Sequence, residues 1–223
     1  MKHPASPLVK TEWPALVLIA ISIVAAFYFY ANFPEQVPTH WNFNGEIDGY
    51  SGRAFGAWFG PVMLIALYLL FFLLPYIDPK HGHYAGFRDS YHGIKNLIVA
   101  FLFVVFMLAG FAGLGFDIPV GGIIPILVGL LFVGLGYFIK SVKQNWAMGV
   151  RTPWTMESAT VWNKTNHLMA RLMMLAGVMI ASCAYPFVDM VKAIIFITAL
   201  ALIIIVPIVY SYFAYRKEQK QGR

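Results

Sequence analysis

Charged residues punctuate this chain rather than alternate with apolar ones. Between them lie six uncharged, largely apolar runs: residues 13–34, 54–77, 96–116, 118–139, 172–188 and 193–215. A helix needs about 20 apolar residues to cross the hydrocarbon core of a bilayer, and each run is near that length. The first is too long for the apolar part of a signal peptide, and no small-x-small site follows it. The pattern predicts an all-α membrane protein with six transmembrane helices in three hairpins. Very short turns near Asp117–Pro119 and 186–192 join the third to the fourth helix and the fifth to the sixth.

The break after the first run is different in kind. Asn44-Gly45 is a strong signal for a two-residue β-hairpin turn, because a type I′ turn needs positive φ at both positions. The flanking strands are predicted at residues 39–43 and 46–50. Pro34 and Pro38 end the first helix. A small β-hairpin therefore caps the space between helices 1 and 2, with Trp41, Phe43 and Tyr50 at the membrane interface. His40, Glu46 and Asp48 raise the question of a metal site. In the predicted register 40 pairs with 49 and 41 with 48, which sends His40 to the face opposite Asp48. No metal site is assigned. His40, Trp41, Asn44, Gly45, Asp48 and Gly49 remain as candidate contact residues of this loop.

Charge placement sets the orientation. Lys2, Lys10, Lys80, Arg88, Lys95, Lys140, Lys143, Arg151, Lys164, Arg171, Arg216, Lys217, Lys220 and Arg223 fall on one side of the six-helix scheme, and Arg53 and Lys192 on the other. Fourteen against two places both termini in the cytoplasm, since Lys and Arg accumulate in cytoplasmic loops. The formal net charge of +6 then reflects topology and attraction to anionic lipid, and no direct nucleic-acid partner is expected. The composition agrees: 60% of residues are hydrophobic and 12% charged, about half the charged share of a soluble domain. The single cysteine, Cys183, excludes an intrachain disulfide.

Two polar breaks remain on the cytoplasmic side. The first holds His81, His83 and His92 near Asp78 and Asp89, without a recognised ligand spacing, and reads as a solvated loop. The second holds Gly149-Val-Arg-Thr-Pro-Trp-Thr155. Gly149 permits positive φ, and Thr152 is pushed to an extended conformation by Pro153. Thr155 reads as the N-cap of a helix running from Met156 without interruption into the fifth span. Val161, Thr165, Leu168 and Leu172 form one stripe of that helix and Lys164, His167 and Arg171 another. Arg151 beside Trp154 and Trp162 fits two readings: a forked anion-binding guanidinium, or an interfacial anchor to lipid phosphate. Glycines 110, 113, 115, 121, 122, 129, 134 and 136 permit close packing of helices 3 and 4.

No Asp, Glu, Lys, Arg or His lies inside any run, which weakens a pump or ion-coupled transporter. No catalytic motif is present, so no enzyme activity and no cofactor is assigned. The residues Asn145-Trp-Ala-Met-Gly149-Val-Arg151-Thr152-Pro153-Trp154-Thr155, with Val161-Trp162-Asn-Lys164-Thr165 following, closely resemble the signature of the SdpI family. Residues 38–50 resemble a two-span domain of unknown function often found ahead of it. The chain departs from that pattern at Asn166-His167, where many members have His-Arg, and at Tyr137, where many have Asn.

The resemblance implies a two-span N-terminal domain, 1–80, followed by a four-span domain, 81–223, in a bacterial inner membrane. It also implies a membrane immunity protein giving resistance to a secreted antimicrobial peptide, with recruitment of a cytoplasmic transcriptional repressor. Asn145, Gly149, Arg151, Thr152, Pro153, Trp154, Thr155, Trp162 and Lys164 are its candidate ligand- or partner-binding residues. The alternative is a transporter or lipid-handling protein with a cavity near Arg151 and Trp154.

Overall fold

A computed structural model of the protein describes residues 9–42, 45–185 and 187–221. Helix α1 (Val9–Asn32) leads into an antiparallel hairpin of β1 (Gln36–Trp41) and β2 (Ile47–Gly52). Helix α2 (Arg53–Ile77) follows, then a 3₁₀ segment (His81–Phe87), α3 (Arg88–Gly113) and α4 (Val120–Ile139). An irregular stretch ends at the short α5 (Pro153–Glu157), and α6 (Ala159–Ser182) and α7 (Asp189–Gln221) complete the chain. The all-α reading with a small hairpin between the first two helices holds.

Among the described residues, five of the six expected spans stand out by length and apolar composition alone: Thr11–Asn32, Arg53–Ile77, His81–Gly113, Val120–Ile139 and Met190–Gln221. The expected fifth span lies in α6, which ends at Ser182 and carries Lys164, His167 and Arg171 ahead of the uncharged run. Its position comes from packing. A Cβ added to Gly129 of α4 would lie 2.5 Å from the Gly177 carbonyl of α6, and one added to Gly136 would lie 2.6 Å from the Ala170 carbonyl. The two helices thus run antiparallel, backbone against backbone, so α6 shadows α4 along its length. Gly129 and Gly136 serve this contact rather than the expected one with α3. Gly134 does meet α3, at Leu97, while Gly110 receives the Phe29 ring of α1. Helix α4 therefore joins two groups, α1–α2–α3 and α6–α7.

The two ends of the molecule differ. At the end carrying Arg151, one core of Phe71, Tyr84, Phe87, Tyr91, Ile139, Val142, Trp162 and Ala170 unites both groups. At the hairpin end the cores are separate, Phe29, Phe33, Val37 and Phe106 on one side and Ala176, Ile180 and Ala199 on the other.

The helices extend past the uncharged runs and carry border charges into the interior. Glu12, in the first turn of α1, lies 2.5 Å from Lys95 Nζ and accepts from the Tyr68 hydroxyl at 2.8 Å. His92 Nδ1 lies 3.2 Å from the other Glu12 oxygen. Lys95 is only 2% exposed and His92 5%. The expectation that His92 sits in a solvated loop fails because α3 begins at Arg88 and turns this face toward α1.

The hairpin register also differs from the expected one. Asn42 N donates to Glu46 O and Gly45 N to Asn42 O, both at 2.9 Å, so three residues rather than two separate the last pair. Gly45 has φ +82°, as expected, and matches the left-handed residue of a three-residue connection. Phe43 and Asn44, like Pro186, lie outside the described residues. His40 pairs with Gly49 as expected, but Trp41 pairs with Ile47 across a bulge. That irregularity, with no side chain on Gly49, brings His40 Nδ1 to 2.5 Å from Asp48 Oδ1 instead of sending the two to opposite faces.

Two stability predictions follow from these contacts. Lys95→Met leaves a buried carboxylate without its cation and lowers stability by about 3–5 kcal/mol. The double variant Glu12→Gln/Lys95→Met recovers much of the loss in a denaturation assay on purified protein; equal loss in both would show that the charges are not coupled. Gly45→Val strains a positive-φ position by about 1–2 kcal/mol and drives its Cβ into the Gly121 backbone, 2.4 Å away. Hydrogen exchange of the hairpin should rise while helical circular dichroism stays unchanged.

Candidate functional site

The stretch from residue 140 to residue 152 is irregular backbone at the end of a membrane helix, and buried N–H and C=O groups there need partners. Side chains supply them. Asn145 is fully buried; its Oδ1 accepts from Ala147 N and Met148 N, both at 2.8 Å, and its Nδ2 donates to Lys143 O at 2.7 Å. Gln144 Nε2 donates to Thr155 O at 2.6 Å and Met156 O at 2.8 Å. Thr155 Oγ1 donates to Val150 O at 2.7 Å and accepts from Thr152 N at 2.9 Å, closing a capping box around α5.

Thr155 is therefore not the cap of the long helix. Thr152 caps α5, and the chain breaks at Ser158, whose Oγ accepts from Val161 N at 3.1 Å to start α6. Ser and Thr favour such positions because their side-chain oxygens satisfy the first free N–H groups of a helix.

The opening face of α6 supports the turn from beneath. Asn166 Oδ1 accepts from Val150 N at 3.0 Å, and Trp162 Nε1 donates to Val142 O at 2.8 Å. Gly149, at φ +105°, lies so close to Asn166 and the Trp162 ring that a Cβ would sit 2.7 Å from Asn166 Oδ1. Helix α7 closes the far side: Ser211 Oγ lies 3.0 Å from Thr152 Oγ1, and Trp154 meets Tyr212 edge-to-face at 5.2 Å between ring centres.

The other polar break docks on the same turn. Asp78, 4% exposed, accepts from Tyr84 OH at 2.8 Å and from Trp146 N at 2.9 Å. His83 Nδ1 lies 2.6 Å from Gln144 O, and Lys80 Nζ bonds Gln144 Oε1. The expected solvated loop is thus half of a two-loop clamp. Gln144 and Ser211 were not singled out in the sequence, Asp78 was read only as part of a solvated loop, and Asn166 only as a departure from the family pattern. The available signal was a polar residue at the border of an apolar run and, for Asn166, its i+4 spacing from Trp162.

The candidate residues separate accordingly. Asn145, Thr152, Thr155 and Trp162 are buried, Trp162 at 1% exposure, and hold backbone. The structure does not place both tryptophans beside the Arg151 guanidinium as available surface: Trp162 is core and Trp154 packs on α7. Arg151, Pro153 and Lys164 are exposed. The Arg151 guanidinium donates to the Trp146 carbonyl, and the Trp146 indole is 52% exposed.

Near Arg151 and Trp154, α7 packs against the clamp through Ser211 and Tyr212. A partly open cavity of about 650 Å³ lies at the opposite end. The hairpin contributes Thr39, His40, Trp41, Asn42 and Asp48 to it, and α3, α4, α6 and α7 form its walls. Of the loop candidates, His40, Trp41 and Asp48 line this space, and Gly45 and Gly49 are spacing residues.

Residues 141–211 match the SdpI/YfhL protein family, and residues 17–65 match a domain of unknown function (DUF1648). The first match begins at the clamp and ends at Ser211, which anchors Thr152; the second covers most of α1, the hairpin and half of α2. The chain is 24% identical over 203 residues to the Immunity protein SdpI of Bacillus subtilis (strain 168), spanning 91% of this chain and 95% of that one. No solved structure matches the chain.

Asn166→Ala leaves Val150 N buried without an acceptor and lowers stability by about 1–3 kcal/mol. Arg151→Lys leaves the clamp intact and should change the melting temperature of the purified protein little. Equal losses in the two variants would mean that Arg151 belongs to the clamp.

Proposed function

We propose that this chain, a multi-pass membrane protein carrying the SdpI/YfhL family domain, is a non-enzymatic immunity protein of a bacterial inner membrane. It protects its host from a secreted antimicrobial peptide met at the hairpin face. It also presents the Arg151 turn to a cytoplasmic partner, a transcriptional repressor where the protein signals. Likeness to an immunity protein over nearly the whole chain supports the first part. One observation carries the second: the clamp uses the polar groups of the signature to fix backbone and leaves Arg151 and Trp146 at the surface in a defined place. A held guanidinium beside an open indole suits protein recognition, where Arg and Trp dominate binding energy.

The orientation rests on the fourteen-to-two distribution of Lys and Arg. In a Cys183→Ser background, Asp117→Cys reacts with an impermeant maleimide in intact cells, whereas Lys143→Cys reacts only after permeabilisation. The opposite order inverts the topology.

The functional test is survival of cells challenged with secreted antimicrobial peptides, with membrane abundance followed by blot. Wild-type protein protects; Trp146→Ala and Arg151→Lys lower protection about tenfold, as loss of roughly 1.4 kcal/mol of binding would. Arg216→Ala, at the far end of α7, stays at wild type. Full protection by Arg151→Lys would reduce this residue to an interfacial charge bound to lipid phosphate.

A further inference from the structure

The cavity beneath the hairpin lies where the two helix groups diverge, and its walls are almost wholly hydrocarbon. Leu108 and Ala109 of α3, Ile124 and Val128 of α4, Ile180 of α6 and Phe196 of α7 face it. It reaches from Val120 to Val128 of α4, about 12 Å at 1.5 Å per residue. Its volume, about 650 Å³, falls within the range of ligand pockets, about 300–1,000 Å³. The hairpin end is polar, with His40 and Asp48 paired across the strands and Asn42 beside them. Lys192, buried at the start of α7, adds a cation to the same rim.

Three occupants compete. Water does not fill a hydrocarbon-walled space, because each molecule needs two to four polar partners. A peptide segment brings backbone N–H and C=O groups, and the walls of α3, α4, α6 and α7 offer no array to satisfy them. A whole helix, about 10–12 Å across, would fill the entire length of the cavity with its width. A hydrocarbon chain needs no partners and gains from burial in proportion to its area. An empty space of this size would be costly, since the penalty grows with void volume, and the helices lining it stand in a bilayer.

We propose that this cavity binds the acyl chain of a membrane lipid, with its polar head at the His40–Asp48 end of the hairpin. One carboxylate and one cation share that rim, so a zwitterionic or neutral head fits it better than a bare anion. The site is separate from the Arg151 turn and goes beyond the immunity reading. The hairpin tip, held by Gly45 against Gly121, fixes the rim above the chain.

The test uses full-length protein in nanodiscs containing phosphatidylethanolamine with a diazirine in one acyl chain. Crosslinks mapped by mass spectrometry should concentrate on residues 105–109 and 120–128. Ala109→Phe and Ile124→Phe each fill the cavity from a different helix and lower those crosslinks about tenfold. Leu130→Phe, on the 61% exposed face of α4, leaves them unchanged.

Cys183 provides a second readout. It is the chain's single cysteine and lines the cavity. At alkaline pH, phosphatidylethanolamine added to delipidated protein slows its alkylation in wild type but not in Ala109→Phe. Crosslinks spread evenly over Leu130 and the cavity, or surviving in both filled variants, would overturn the proposal. So would protection of Cys183 by an apolar peptide and not by the lipid, which would assign the cavity to the peptide.

Discussion

Irregular backbone at the edge of a bilayer is the constraint on which the Arg151 end depends. Helices and closed barrels satisfy their own N–H and C=O groups; a connecting stretch does not. Here thirteen residues separate α4 from α5, and the solution is to surround them. Asn145 bonds the turn from within, Asn166 and Trp162 support it from α6, Ser211 touches it from α7, and Asp78 reaches it from the end of α2. Each of these bonds is modest alone, about 0.5–1.5 kcal/mol net. Together they leave the loop one arrangement and tie three helices to it.

That fixation explains the asymmetry of the molecule. Trp162, Tyr84 and Tyr91 fill the volume between the helix groups at the clamped end. Among the described residues, α4 is the helix that connects the groups at the hairpin end, and its small residues bring it close to α6. The two halves therefore splay from a fixed base. The hairpin bridges part of the resulting gap, with its tip on the first turn of α4.

Much of this was legible in the sequence. Runs of apolar residues located α1, α2, α3, α4 and α7, because span length is a one-dimensional property. Gly45 was legible as a positive-φ position and Gly149 as a turn residue. The rest needed three dimensions. Lys95 and Glu12 are 83 residues apart, and nothing local marks either as a buried partner. The run 172–188 and the stripes ahead of it marked α6 as a helix, but its backbone-to-backbone packing on α4 was not legible there. The hairpin register slipped because a turn signal gives the location of a reversal more reliably than the number of residues it encloses. The candidate site was found as a segment and misread in its parts: Trp162 and Thr155 looked available because a motif does not say which side chains face inward.

The division of labour within the signature follows from the same physics. A loop that must hold an exposed guanidinium in one place needs its own polar groups satisfied first; otherwise they compete for the same partner. Asn145, Thr152 and Thr155 remove that competition, and Arg151 is tied to the Trp146 carbonyl, whose own residue is tied through its N–H to Asp78. The position of Arg151 is thus set by a residue from a different hairpin of helices. The hairpin joins α1 to the other end of α2. Phe71 of that helix also belongs to the core at the Arg151 end, so α2 is held to the clamp by packing as well as by the bonds of Asp78.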